Sequence, residues 1–207
     1  MNNFAKKSKD ASKVLRNLKK DVRKEILTSL ADNLMSRSNE VIEANRKDLA
    51  YAEEVNLSSS LKDRLMLDEA RINDMANGVR AIAKQDEVVG QFYKEFVNAE
   101  GLEIKRQRVP LGVILMIFES RPNVVIDCAA LALKSSNAII LKGGKEAKHS
   151  NEILGTIIQD TLEGKLPRES VQVLASDSRE EVNELLQLDE YIDVVIPRGG
   201  ERLIEHV

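Results

Sequence analysis

The sequence is poor in the residues that build metal sites, disulfides and stacking surfaces. It has one cysteine, two histidines and no tryptophan, and aromatic residues make up 3% of its 207 residues. A single cysteine excludes an internal disulfide, and this histidine and cysteine count is too small for a zinc site of the usual kind. Few aromatic side chains also argue against a stacking surface for single-stranded nucleic acid. We therefore expect no metal and no nucleic-acid partner.

Long apolar runs and an excess of one charge are also missing. No run approaches the length of a bilayer span, and the N-terminus lacks the apolar stretch of a signal peptide. The net charge is −3, from 31 basic and 34 acidic residues, which gives no reason to expect binding to nucleic acid or to an anionic membrane. We predict a cytoplasmic protein with no membrane partner.

Residues 1–95 are predicted to be an N-terminal helical segment that packs on the rest of the chain. No proline precedes Pro110, which permits long helices. Ser38 and Ser60 are predicted N-caps, and Asp68 is predicted to begin a further helix. Apolar residues at three- or four-residue steps predict one helix face, formed by Leu15, Leu18, Val22, Ile26, Leu30 and Leu34.

Residues 96–109 are predicted to form a hairpin of the kind used for oligomerisation. Apolar residues flank the turn-forming segment Asn98-Ala99-Glu100-Gly101 on both sides. Beyond it, apolar and charged residues mix as they would on an exposed strand.

Residues 110–207 alternate between strand and helix patterns. Apolar strands are predicted at 113–118, 138–141, 171–174 and 192–196, with helices between them. Such alternation gives right-handed crossovers and a parallel sheet. The predicted fold class is α/β, with the helical segment followed by a Rossmann-like parallel sheet that has flanking helices.

Glycine, hydroxyl and basic residues follow three of these strands. Ligands of parallel sheets bind beyond the carboxyl ends of the strands, where helix N-termini and positive side chains favour phosphate groups. The G-x-G-x-x-G fingerprint is absent, so the glycine pairs are equally compatible with plain strand-to-helix turns. The three segments are Phe118-Glu119-Ser120-Arg121-Pro122-Asn123, Leu141-Lys142-Gly143-Gly144-Lys145 and Ile196-Pro197-Arg198-Gly199-Gly200.

These segments lie in three blocks, 109–124, 135–147 and 193–200, that together resemble the N-terminal portion of the gamma-glutamyl phosphate reductases. This family, also called glutamate-5-semialdehyde dehydrogenases, belongs to the aldehyde dehydrogenase superfamily. Asn45 and Asp48 in the helical segment match the family as well. The resemblance implies an aldehyde dehydrogenase-type cofactor-binding domain.

The resemblance also implies an activity. It is the NADPH-dependent reduction of L-glutamyl 5-phosphate to L-glutamate 5-semialdehyde and phosphate, the second step of proline biosynthesis from glutamate. A cysteine thiolate attacks the acyl phosphate in this family. Cys128 lies mid-helix among apolar residues and is interpreted as a core side chain. The resemblance implies that the nucleophile lies in a segment beyond Val207, so this chain is expected to contain no catalytic residue and to be inactive alone.

Site residues follow from the same resemblance. Lys145 stands where NAD-preferring relatives often carry a glutamate, and an ammonium there would attract a 2′-phosphate, which favours NADP over NAD. Arg121 would hold the acyl phosphate or the substrate carboxylate by a forked contact. The implied substrate-binding residues are Arg121 and Asn123. The implied cofactor-binding residues are Phe118, Glu119, Ser120, Lys142, Gly143, Gly144, Lys145, Arg198, Gly199 and Gly200.

Two alternatives stay open at the level of sequence. One is a stand-alone NADP-binding module without catalysis, and the other is a different member of the aldehyde dehydrogenase superfamily. The resemblance further implies a homo-oligomer at full length and suggests channelling of substrate from glutamate 5-kinase. His149 is interpreted as a solvated surface side chain and Asp193 as a turn residue.

Overall fold

The computed structural model describes residues 1–174 and 178–206, so Val207 lies outside the described part. Five helices and a hairpin precede an alternating series of strands and helices. Short 3-10 helices precede α7 and β5, at Lys145–Ala147 and Arg168–Ser170. The main elements are α1 (Asn2–Leu15), α2 (Lys20–Ser36), α3 (Ser38–Glu54), α4 (Ser59–Leu65), α5 (Glu69–Lys84), β1 (Phe92–Val97), β2 (Glu103–Gln107), β3 (Val113–Phe118), α6 (Asn123–Lys134), β4 (Ala138–Lys142), α7 (Lys148–Leu162), β5 (Val171–Leu174), α8 (Arg179–Leu186), β6 (Val194–Arg198) and α9 (Glu201–His206).

The N-terminal apolar stripe is divided between two helices. α1 ends at Leu15 and α2 begins at Lys20, so the single helix face predicted from the stripe is wrong. A turn joins them, in which the N–H of Leu18 donates to the carbonyl oxygen of Leu15 at 3.0 Å. The periodicity persists across the turn because Leu15 and Ile26 still face the same core.

The three predicted helix starts have different outcomes. Asp68 caps α5 as predicted, since its carboxylate accepts from the N–H of Arg71 at 2.8 Å. Ser58, and not Ser60, caps α4, and Ser38 is the first residue of α3 with Arg37 before it. Three consecutive serines at 58–60 offer the same capping chemistry, so sequence spacing does not choose between them.

Residues of β1 and β2 form the predicted antiparallel hairpin, with Phe96 paired to Ile104. The first strand begins at Phe92, four residues before the predicted start of the hairpin. The side-chain oxygen of Asn98 closes the turn by accepting the N–H of Glu100 and of Leu102. Most side chains of the two strands are exposed on both faces.

The main sheet is parallel, as predicted, with strand order β5-β4-β3-β6. Every residue of β3 is buried, which explains its continuous apolar run. The chain proceeds outward from β3 to β4 and β5, then returns across to β6. The order therefore reverses between β3 and β6, and β6 begins two residues later than predicted because the N–H of Ile192 bonds back to Leu188.

One hydrophobic core joins the helical segment to the sheet. α2 packs against α5, α6 and α7, and α1 packs against β3 and β4. Within residues 1–174 and 178–206, no helix is both long enough and apolar enough to cross a bilayer.

A partly buried cluster of charges lies where α2, α6 and the segment after α5 meet. The Glu87 carboxylate contacts Arg23 Nη2 at 2.6 Å and Lys134 Nζ at 2.5 Å. Arg23 also donates to the hydroxyl of Ser136 at 2.9 Å. Burial alone would raise the pKa of Glu87, but the bonds and charges of Lys134 and Arg23 outweigh it, and the pKa is lowered.

Two buried polar residues of α3 fasten the helical segment to α7. Asp48 accepts hydrogen bonds from the backbone N–H of His149 at 3.0 Å and of Ser150 at 2.8 Å, and so caps α7 from another helix. Asn45 donates to the Ser150 hydroxyl at 3.0 Å. The His149 side chain is exposed, as predicted, but its ring also contacts Asp48, at 2.8 Å.

Candidate functional site

The three strand ends singled out in the sequence lie side by side at one edge of the sheet. Ile117 pairs with Lys142 of β4, and Phe118 pairs with Arg198 of β6. The following turns therefore project from neighbouring strands. The boundary between β3 and β6 is also where the strand order reverses, the usual position for a ligand in an open parallel sheet.

A cavity of about 320 Å³ opens at this reversal, and we call it the switch-point cavity. Arg121 follows β3, Arg198 ends β6, and Arg64 reaches the cavity from α4. No carboxylate in the described part of the chain forms an ion pair with any of these three arginines. Three guanidinium groups make the cavity attractive to phosphate or carboxylate. Its lining consists of Leu61, Arg64, Glu119, Ser120, Arg121, Arg198, Gly199 and Gly200.

The turn after β6 already binds one anionic group. The Glu119 carboxylate accepts the N–H of Gly200 at 3.0 Å. A Cβ atom on Gly199 would lie 2.5 Å from that carboxylate, so the contact requires glycine there. A Cβ on Gly200 would meet nothing within 4 Å, so there is free space beside this turn.

Glu146 holds the turn after β3. Ser120 has a positive φ of 41°, which non-glycine residues rarely adopt. Its backbone N–H and its hydroxyl both donate to Glu146 Oε1, each at 2.6 Å. The Glu146 carboxylate also lies over Gly144, where a Cβ would come within 2.2 Å of it. The local sequence does not mark Glu146, since only the fold brings it to Ser120.

The turn after β4 is packed on one side and exposed on the other. Phe118 is 2% exposed, and a Cβ on Gly143 would lie 3.1 Å from its ring, so Phe118 packs beneath this turn. Lys142 donates to the carbonyl oxygen of Gly143 at 2.6 Å. Lys145 is exposed at the start of the 3-10 helix, where its ammonium is accessible to a ligand.

A second cavity of about 290 Å³, which we call the α5–α6 cavity, lies beside the first. Arg64 lines both cavities. Asn123, a predicted substrate-binding residue, lines this second cavity, and its amide donates to Asp127 at 2.9 Å. The lining consists of Arg64, Met66, Leu67, Arg71, Asp74, Met75, Asn123 and Asp127.

Cys128 has the properties of a packed thiol. It is partly buried on α6. Burial raises the pKa of its thiol, the negative charge of Asp127 raises it further, and Arg198 only partly opposes them. A nucleophilic cysteine needs a lowered pKa, which supports the interpretation of Cys128 as a core residue. Among the described residues, no group of three or more His, Cys, Asp or Glu side chains could hold a metal ion.

Known proteins match this chain along its full length. Residues 1–207 match the aldehyde dehydrogenase family. The chain is 48% identical to a gamma-glutamyl phosphate reductase of Nitratiruptor sp. over 208 residues, which cover 100% of this chain and 50% of that protein. The chain thus spans about half the length of the curated relatives that it matches.

Two crystal structures of gamma-glutamyl phosphate reductases are similar to this fold. The one from Thermotoga maritima has a TM-score of 0.94 at 39% identity, covering 99% of this chain and 50% of the solved chain. The one from Saccharomyces cerevisiae has a TM-score of 0.90 at 36% identity, covering 99% of this chain and 52% of the solved chain. The likeness includes the helical segment and the hairpin as well as the sheet.

Proposed function

This chain belongs to the aldehyde dehydrogenase family, and on that premise we propose that it is the NADPH-binding part of a gamma-glutamyl phosphate reductase. The whole enzyme would reduce L-glutamyl 5-phosphate to L-glutamate 5-semialdehyde and release phosphate. One observation carries the proposal: three arginines without ion-pair partners among the described residues line a cavity where the strand order reverses. Both the cofactor and this substrate present phosphate groups to such a cavity.

The residues at this edge fit a phosphorylated dinucleotide. There is free space beside Gly200, and Arg198 adds positive charge next to it. Lys145 is exposed in the neighbouring turn, which follows β4, and its ammonium carries the positive charge that would attract a 2′-phosphate. An acidic residue at this position would repel the 2′-phosphate, whereas Lys145 attracts it, so NADP is favoured over NAD. Lys142, Gly143 and Gly144 would bind the adenosine end, with Phe118 supporting this turn from below.

The chain's own residues then have distinct roles. NADPH supplies a hydride when it is bound. Arg121 would hold the acyl phosphate through a forked contact, and Asn123 would contact the rest of the substrate. Glu119 and Ser120 would separate the two ligands. Glu146 would fix the position of Ser120, because it accepts both of that residue's hydrogen bonds.

The proposed function carries further expectations about catalysis, assembly and location. The nucleophilic cysteine is expected beyond Val207, so we expect NADPH binding by this chain but no reductase turnover. The exposed apolar hairpin would serve homo-oligomerisation of the full-length enzyme, as its unpaired edges are suited to pairing with another strand. Channelling from glutamate 5-kinase and a cytoplasmic location are consistent with a biosynthetic enzyme of this kind.

Titration of NADPH fluorescence with this chain tests the cofactor assignment. Lys145→Glu should weaken NADPH binding about tenfold or more and leave NADH binding almost unchanged, because only NADPH carries the 2′-phosphate. Lys142→Ala should weaken both cofactors. Lys148→Glu, an exposed reversal of the same charge at the start of α7, is the matched control. Unchanged NADPH affinity in both test variants would remove the cofactor assignment.

A second measurement tests whether this chain lacks the catalytic nucleophile. NADPH oxidation in the presence of L-glutamyl 5-phosphate should be absent for this chain. Whether the coding sequence continues into a segment with a reactive cysteine separates a reductase from a stand-alone binding module. Turnover by the 207-residue chain itself would show that the nucleophile had been assigned to the wrong place.

A further inference from the structure

The α5–α6 cavity carries charges of both signs. Its lining includes the cations Arg64 and Arg71 and the anions Asp74 and Asp127. A site for a simple anion would not need two carboxylates, and a site for a simple cation would not need two guanidinium groups. Mixed charge of this kind is complementary to a group that carries one positive and one negative charge.

Asp127 is the partly buried carboxylate of this cavity. It accepts a hydrogen bond from the neutral amide of Asn123 at 2.9 Å. Burial raises the pKa of Asp127, and the Asn123 bond and the charge of Arg198 only partly oppose this. A carboxylate without a full positive partner in a partly buried place is stabilised when a ligand brings an ammonium.

The two arginines differ in how firmly they are held. Arg71 is fixed, since it donates to the Asp63 carboxylate at 2.7 Å, to the Met66 carbonyl at 3.1 Å and to the Asp63 carbonyl. Arg64 forms no ion pair among the described residues, and it lines both cavities. A fixed guanidinium suits recognition of a terminal carboxylate, and a shared one suits the middle of an elongated ligand.

We propose, resting on the proposed function, that the α5–α6 cavity binds the α-amino acid end of glutamyl phosphate. Asp127, with Asp74 at the exposed rim, receives the α-ammonium, and Arg71 receives the α-carboxylate. The acyl phosphate then lies in the switch-point cavity with Arg121, and Arg64 stands at the junction. The chain itself thus selects an amino acid derivative over a plain acyl phosphate.

Stable analogues of the substrate test this assignment. In γ-glutamyl phosphonate, a methylene group replaces the oxygen that joins the carbonyl carbon to phosphorus, so the compound cannot lose phosphate. Its partner, glutaryl phosphonate, lacks the α-amino group and is otherwise the same. We expect this chain to bind the amino compound about tenfold or more tightly than its partner, because a carboxylate that lacks its ammonium stays unpaired. Isothermal titration calorimetry measures both affinities.

Two variants assign the preference to this cavity. Asp127→Asn keeps the shape of the side chain and should abolish the preference, with little effect on glutaryl phosphonate binding. Asp74→Asn, on the exposed rim, cannot disturb the core and should reduce the preference severalfold. Glu69→Gln, an exposed acid on α5 outside the cavity lining, is the control and should leave the preference unchanged.

The outcomes separate the two proposals. Equal affinity for the two phosphonates, with NADPH binding intact, would overturn the amino acid site and leave the reductase assignment standing. A preference that survives in both Asp127→Asn and Asp74→Asn would place the site elsewhere and also overturn it. Failure of both phosphonates and of NADPH to bind would overturn the proposed function and this inference together.

Discussion

Glu146 and Ser120 are joined by two hydrogen bonds that end on the same carboxylate oxygen, although 26 residues separate them. The pair links the turn after β3 to the turn after β4. Ser120 is 6% exposed and has a positive φ. The surrounding structure must therefore hold this residue in a conformation it would otherwise avoid.

Removal of this carboxylate should destabilise the chain. Glu146→Ala leaves a buried N–H and a buried hydroxyl of Ser120 without an acceptor, and we expect a loss of about 2–3 kcal/mol in the free energy of unfolding. Urea unfolding followed by circular dichroism measures it. Glu152→Ala, at an exposed position of α7, is the control. Equal stability of the two variants would show that water replaces the carboxylate at no cost.

The Glu87 cluster should make stability depend on pH. The folded-state pKa of Glu87 is lowered from the usual 4.5, so its contribution is fully present above that value and is lost as pH falls through the folded pKa. Glu87→Gln should cost about 3 kcal/mol near neutral pH, because Arg23 and Lys134, each 5% exposed, would lose their partner. Urea unfolding at several pH values measures this.

The difference between wild type and Glu87→Gln should begin to shrink below the usual carboxyl pKa, where the unfolded chain takes up a proton, and should be lost below the lowered folded-state pKa of Glu87, where the folded carboxylate is protonated as well. Glu54→Gln, an exposed acid at the end of α3, should show no such pattern. A difference that stays constant at every pH would contradict the ion-pair explanation.

Gly112 should tolerate no side chain. It has a φ of 124°, and a Cβ there would lie 2.1 Å from the Asp193 carboxylate, which accepts the N–H of Val113 at 2.8 Å. Backbone strain and the clash predict a loss of about 3 kcal/mol for Gly112→Ala. Gly78→Ala in α5 meets no atom within 4 Å and should instead stabilise the chain by about 0.5–1 kcal/mol. In thermal unfolding, the melting temperature should fall for Gly112→Ala and rise for Gly78→Ala.

Asp48 should stabilise the contact between α3 and α7. Asp48→Ala leaves the N–H groups of His149 and Ser150 without their acceptor, and we expect a loss of about 3 kcal/mol. Asp48→Asn keeps an acceptor oxygen and should lose less. Lys47→Ala, its exposed neighbour, controls for substitution in the same helix turn. The denaturant midpoint should be lowest for Asp48→Ala, higher for Asp48→Asn and highest for Lys47→Ala. An Asp48→Ala midpoint equal to that of Lys47→Ala would contradict the capping role.

The parallel sheet was predictable because its signals are local. Val113–Phe118 is a continuous apolar run, and the turns that follow the strands contain glycine and polar residues within a few positions. Parallel pairing then brings those turns to one edge without further information. The break between α1 and α2 was missed because the apolar periodicity continues through the turn at Leu18.

Other features depend on contacts that no local pattern reveals. Arg64 is not marked by its local sequence, since only the fold brings α4, which packs on α3, to both cavities. Asp193 was interpreted as a turn residue, yet its carboxylate also binds Lys9 at 2.8 Å, 184 residues away. Each of these side chains looks like an ordinary surface charge in sequence, and only its distant partner distinguishes it.

The switch-point cavity is lined by Arg64 of the helical segment and Arg198 of the last strand, so a ligand that contacts both connects two distant parts of the chain. Opening either part would require the ligand to leave. At a concentration one hundred times its Kd, such a ligand adds about 2.7 kcal/mol to the cost of opening. Amide hydrogen exchange in α4 and in β6 would then slow together, by up to about a hundredfold, although these elements lie far apart in sequence.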